Sequence, residues 1–230
     1  MITTSIWFGD SWCIGTELEK CLPNYQAQDQ DAYRRQHRFS KLVSDYFGWE
    51  EINLGNEGIS PEHVALKIVE YSELQTDRRD QIYFIIWPSF QRYFWINEAG
   101  EKKDLRWSSS NQNWYRVIDT YEYQMYSAKR TVWSTTMYLR NKGIKFAMVN
   151  NQYRLDSPDY FVIDDQDWIL PSSTRLGDLL EVNLDLGFPE KSMKHKYFCP
   201  CESHPNLYGH KRIANEIINY IKTKEIACQF

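Results

Sequence analysis

Two short stretches of the chain hold the residue types that acyl-transfer chemistry needs. Near the start, "SIWFGDSWCIGTE" runs Ile6, Trp7 and Phe8 into Gly9-Asp10-Ser11, so an acid and a hydroxyl stand where an apolar strand ends. Near the other end, "CESHPNLYGHKRIANEI" places His204 just before Pro205 and Asn206. Proline closes the loop and asparagine is a natural helix cap, so this histidine sits ahead of a helix rather than on its face. A serine hydroxyl is a weak nucleophile until a base takes its proton, and an imidazole is the usual base. Alone, each residue has an ordinary reading: a strand that surfaces and turns, and a loop histidine. Together they make chemical sense if both lie on one edge of a sheet.

The elements that must put them there can be read from periodicity. "SIWF" is a short, fully buried strand ending at Gly9, and "WEEINLG", "QIYFIIW" and "IKFAMVN" are further strand candidates. Between them, "DAYRRQHRFSKLVSDYF" is expected to form a helix ending at Gly48. "ISPEHVALKIVEYSELQ" starts another, with Ser60 as cap and Pro61 in the first turn. A long helix is expected from Trp114 to Asn141, stopped by Gly143, and a last one from about Leu207 to Lys222. Strands alternating with helices predict a parallel sheet covered on both faces, in an α/β/α three-layer sandwich of the flavodoxin-like kind. Open sheets of this class place ligands at the carboxyl ends of their strands, where Ser11 would stand. The expectation is one domain over residues 1–230, with a hairpin at 91–108 around Ala99-Gly100 and a loop-rich insertion at 151–198.

Composition narrows the classes. A net charge of only −4 gives no electrostatic footprint for nucleic acid. No apolar run approaches a membrane span, so no membrane insertion is expected. "MITTSIWF" also lacks the basic start and small-residue cleavage site of a secretion signal, which points to the cytoplasm. Five cysteines form no regular framework; Cys13, Cys21 and Cys228 read as small buried hydrophobes. No Gly-x-Gly-x-x-Gly follows a strand, which argues against a dinucleotide binder. His195, Cys199, Cys201, His204 and His210 are ligand types that suit zinc, but "CPC" is not a Cys-x-x-Cys clip and no second cluster exists, so no metal is expected. The 16 tyrosines and 9 tryptophans are a surplus of rings that suits stacking against sugars.

In three short blocks the sequence resembles the SGNH (or GDSL) hydrolases. Gly9-Asp10-Ser11 with Gly15 is similar to the family's first block, "NLGNEGIS" to its second, and His204 with Pro205, Asn206, Gly209 and His210 to its last. The resemblance implies that Ser11 is the nucleophile and His204 the base, with the N–H groups of Ser11 and Gly58 in the oxyanion hole. A glycine suits that place because no Cβ blocks the approach to its N–H. Two blocks depart from the pattern. The third normally carries an asparagine as oxyanion donor, whereas "IIWPSFQRYF" offers Ser89, with Gln91 and Arg92 as the next polar candidates. The acid normally stands three residues before the histidine. That position is Cys201, so Glu202 is the expected triad acid, with a Ser-His dyad as the alternative. Asp10 is expected to order the turn rather than to catalyse. Arg92 and Trp12 are the expected substrate contacts.

The implied activity is hydrolysis of an ester, an O-acetyl or other short acyl group on a carbohydrate, with a small-molecule or glycan substrate and no cofactor. The strand followed by Ser89 and Arg92 is similar to phage- and bacterium-encoded members, which allows a virion-associated setting. The competing reading is a non-catalytic glycan-binding or structural protein on the same scaffold, since fold alone does not establish function.

Overall fold

The structure is a computed structural model and describes residues 1–18, 30–76, 78–90, 92–96, 99–106, 121–151, 165–171, 174–180, 196–199 and 204–225. Four parallel strands form the central sheet: β1 (Thr4–Phe8), β2 (Glu50–Asn53), β3 (Gln81–Trp87) and β6 (Lys145–Asn150), in the order β2-β1-β3-β6. Phe8 lies opposite Ile85 and Ile85 opposite Met148, so the carboxyl ends of the inner strands form one edge. Because side chains alternate along a strand, continuous apolar runs feed two cores. Trp7, Phe84, Ile86, Ala147 and Val149 pack on one face against α3 (Phe39–Phe47) and the closing helix α7 (Leu207–Thr223). Ile6, Phe8, Tyr83, Ile85 and Met148 pack on the other against α4 (Pro61–Leu74) and α5 (Tyr121–Asn141). The fold is an α/β three-layer sandwich.

The order of strands fixes where a site can be. The chain leaves β1 towards β2 on one side and returns to β3 on the other, so the sheet switches direction between β1 and β3. Connections diverge there and leave a crevice at the strands' carboxyl ends. Ser11 lies three residues past β1, at that edge.

Helix signals read correctly at several ends. Ser60 Oγ accepts from the His63 N–H with Pro61 in the first turn, and Asn206 Oδ1 accepts from the N–H groups of Tyr208 and Gly209. The helix read through "DAYRRQHRFSKLVSDYF" is two, α2 (Gln30–His37) and α3, broken at Arg38. Arg38 is extended there, and its guanidinium makes paired 2.9 Å bonds to Glu51 near the start of β2. The Phe39 N–H turns to Nδ1 of His210 instead of continuing the helix. Residues 114–120, expected to open the long helix, lie outside the described residues.

Strands β4 (Arg92–Ile96) and β5 (Lys102–Arg106) form a separate antiparallel hairpin with Arg92 opposite Arg106. In the segment 151–198, the described parts include a 3-10 turn at Asp165–Asp167 and α6 (Leu176–Leu179), and bridge residues Trp168 and Arg175 pair beside β6.

Candidate active site

Ser11 opens α1 (Ser11–Ile14), and as the first residue of a helix its N–H has no intrahelical acceptor. Asp10 caps that helix, Oδ1 accepting from the Trp12 N–H at 3.1 Å. Its carboxylate is fully buried and is held from two further directions. Asn151 Nδ2 donates to both oxygens at 2.9 Å, and Arg92 Nη1 donates to Oδ2 at 3.4 Å. Asp10 thus orders the turn.

After α1 the chain folds back, the Thr16 N–H donating to the Ser11 carbonyl at 2.9 Å. Glu17 follows with a φ of +69°, a left-handed conformation that side chains with a Cβ rarely adopt. That backbone aims its carboxylate across the turn at the last block of the chain. His204 Nδ1 lies 2.8 Å from Glu17 Oε2, and His204 Nε2 lies 2.9 Å from Ser11 Oγ. With Nδ1–H donating to the carboxylate, Nε2 is left as the acceptor facing the serine hydroxyl, which is the tautomer a general base needs. Ser11 and Glu17 are both nearly buried, so the chain of bonds is shielded from water on most sides.

The loop that carries His204 is braced. The Cys199 N–H donates to the His204 carbonyl at 3.0 Å, and Asn206 Nδ2 donates to the carbonyls of Lys196 and Phe198. A Cβ at Gly209 would run into the Tyr197 carbonyl, so α7 approaches this loop as closely as glycine allows. Cys199 Sγ also reaches the Glu17 carbonyl at 3.5 Å, joining the base's loop to the acid's backbone.

The carboxylate beside the ring is not one the sequence singled out. Glu202 lies outside the described residues, and the carboxylate on Nδ1 belongs to Glu17. Sequence distance had favoured Glu202, but the left-handed turn brings Glu17, 187 residues away, to the ring. Asn151 carries no signal of its own in the sequence beyond following the polar end of "IKFAMVN". Trp12 is corrected as well. It is fully buried in the core, edge-on to Phe198, and has no ring face for a substrate.

Gly58 is buried in the loop between β2 and α4 with φ +66°, a conformation glycine adopts freely. Thr16 Oγ1 donates to Glu57 beside it at 2.9 Å. Ser89 is buried two residues past β3, at the same edge of the sheet. Arg92 turns inward, its side chain only 16% exposed. Cys13, two residues from Ser11, is no rival nucleophile, because burial pushes its thiol pKa up. Burial, aided by the nearby charges of His204 and Arg38, pushes His210 down to about 3, so its ring is neutral; Nδ1 accepts from the Phe39 N–H. Among the described residues no group of three His, Cys, Asp or Glu side chains is arranged to hold a metal; His195 and Cys201 lie outside them.

No protein-family model matches the sequence, and no curated protein sequence matches it significantly. Solved structures do. TesA is similar over 96% of this chain and 99% of its own, at 11% identity and a TM-score of 0.52. A carbohydrate esterase family 2 enzyme with a carbohydrate-binding domain, from Corynascus thermopiles, is similar over 99% of this chain and 67% of its own, at 14% identity and a TM-score of 0.51. A member of the lipolytic protein G-D-S-L family from Veillonella parvula has 13% identity over 94% and 97% of the two chains, with a TM-score of 0.49. At these identities the likeness shows the fold alone, an α/β sandwich shared with TesA and with the carbohydrate esterase.

Proposed function

We propose that this chain is a serine esterase that moves an acyl group from an ester to water through Ser11. The observation that carries the reading is the hydrogen-bonded chain from Ser11 Oγ through His204 to Glu17. Ser11 Oγ attacks the ester carbonyl while His204 Nε2 takes its proton, and the Glu17 carboxylate steadies the imidazolium that forms. The oxyanion is held by the N–H groups of Ser11 and Gly58, with Ser89 as the third donor. Collapse of the tetrahedral species expels the alcohol, which leaves with the proton from His204. Water then attacks the acyl-enzyme with His204 again as base, releasing the acid and restoring Ser11.

The proposed substrate is an O-acetyl or other short acyl ester on a carbohydrate. The ring surplus supports it, as does the fold shared with a carbohydrate esterase. Tyr208, four residues past the base, keeps a ring that is 66% exposed.

Release of nitrophenolate from p-nitrophenyl acetate, followed for the wild type and for Ser11→Ala and His204→Ala, tests the reading. Wild-type turnover should exceed both variants by at least about 10³-fold. Equal, negligible rates in all three proteins would instead favour a binding protein on this scaffold.

A further inference from the structure

We propose that Arg92 is a positioning residue that clamps together the two segments supplying the oxyanion hole; this rests on the esterase reading and deepens it. A single nitrogen makes the link. Arg92 Nη1 donates to Asp10 Oδ2 at 3.4 Å and to the Ile59 carbonyl at 3.2 Å, one hydrogen for each. Asp10 immediately precedes Ser11, and Ile59 immediately follows Gly58. The guanidinium therefore bridges the chain neighbours of both N–H groups assigned to the oxyanion.

Other bonds join the two segments on either side of the guanidinium. The Leu54 and Asn56 N–H groups donate to the Trp7 and Gly9 carbonyls at 2.7 and 2.9 Å, which ties the start of the loop to the end of β1. At its far end, Ser60 caps α4. Between Asn56 and Ser60 lies the left-handed turn at Gly58. Arg92 ties that stretch to the Asp10–Ser11 turn, and the Thr16–Glu57 bond ties it to the next turn along.

Charge explains why a cation does this work. Asp10 is completely buried, and a buried carboxylate must be matched by hydrogen bonds and an opposite charge. Asn151 supplies the bonds and Arg92 the charge. Once the pair holds the guanidinium in place, its remaining hydrogen on Nη1 fixes the Ile59 carbonyl. The hairpin acquires a role through this residue, since Arg92 opens β4. Donors aimed at a developing oxyanion are effective only when held within a few tenths of an ångström, so a loosened hole slows turnover without weakening substrate binding.

The test compares wild type with Arg92→Met, Arg92→Lys and the double variant Arg92→Met/Asp10→Asn, which removes the clamp without stranding a buried carboxylate. Native-state amide hydrogen exchange should quicken at Gly58 and Ser11 in Arg92→Met and in the double variant, while amides of β3 stay as they were. With p-nitrophenyl acetate, kcat should fall about 10- to 100-fold, with KM within about threefold. Arg92→Lys keeps the cation and should recover part of both. Unchanged exchange at Gly58 in the double variant overturns the clamp. A raised KM at constant kcat overturns it too, and makes Arg92 a substrate contact. A wild type that turns over no ester sinks the esterase reading, and the exchange comparison still decides whether the clamp exists.

Discussion

The two edges of the sheet differ in what they bury. At the amino ends of β3 and β6 there is an open cleft of about 440 Å³, lined by Ile82, Lys145, Gln166, Tyr220 and the ion pair Arg140–Asp167. It has volume, but among its described lining residues no nucleophile meets a base. At the carboxyl ends the polar groups are dense: Asp10, Ser11, Glu17, Ser89, Asn150 and Asn151 are all buried. Burying polar groups is unfavourable unless they are hydrogen-bonded, and here Asn151 donates to Asp10 while His204 joins Ser11 to Glu17. Open volume and a buried polar network thus stand at opposite edges, and the proposed esterase site falls on the network rather than in the cleft.

The largest way to sharpen that contrast is at Glu17. Glu17→Gln keeps the shape but replaces the acceptor on His204 Nδ1 with an amide that can present the wrong group to the ring. Turnover should fall by up to about 10⁴-fold, with KM little changed. Glu17→Gly removes the carboxylate and also the strain of a left-handed side chain, worth roughly 1 kcal/mol. Its melting temperature should therefore hold or rise while activity is lost. A Glu17→Gly protein that melts well below the wild type would mean the residue is there for the fold.

The same residue shows what a sequence can and cannot disclose. The four strands, the caps at Ser60 and Asn206, and the pairing of Ser11 with His204 were legible because each rests on local pattern or on a short motif. Glu17 was not legible, because nothing in "GTELE" signals a left-handed turn at a glutamate. Nearness in sequence pointed to Glu202 instead. Trp12 misled for a related reason: a ring next to a nucleophile reads as a contact, but the helical turn after Ser11 points it into the core against Phe198. The break at Arg38 is set by Glu51 and His210, partners that no helical periodicity contains.

A smaller effect is expected behind the base, at His210. Its ring is neutral in the folded protein, with a pKa near 3, whereas an unfolded chain would bind a proton at the ordinary histidine value of 6.5. Below 6.5 the unfolded state therefore holds the extra proton, so stability falls as pH drops from that value towards 3. The slope approaches roughly 1 kcal/mol per pH unit. Urea unfolding between pH 7 and 4 should show this slope in the wild type and a shallower one in His210→Asn. Equal slopes would mean that the ring is charged or reachable by water in the fold.

The smallest effect is expected at the amino edge. Arg140 and Asp167 are partly exposed and lie 2.6 Å apart, a surface pair of the kind worth about 0–1 kcal/mol. Arg140→Ala opens the cleft further and removes one of its cations, yet the reacting groups stand at the opposite ends of the strands. Turnover of p-nitrophenyl acetate should stay within about twofold of wild type, and stability should shift by less than about 1 kcal/mol. A loss of kcat there would break the contrast, because it would require the amino edge to reach Ser11 through the length of β3.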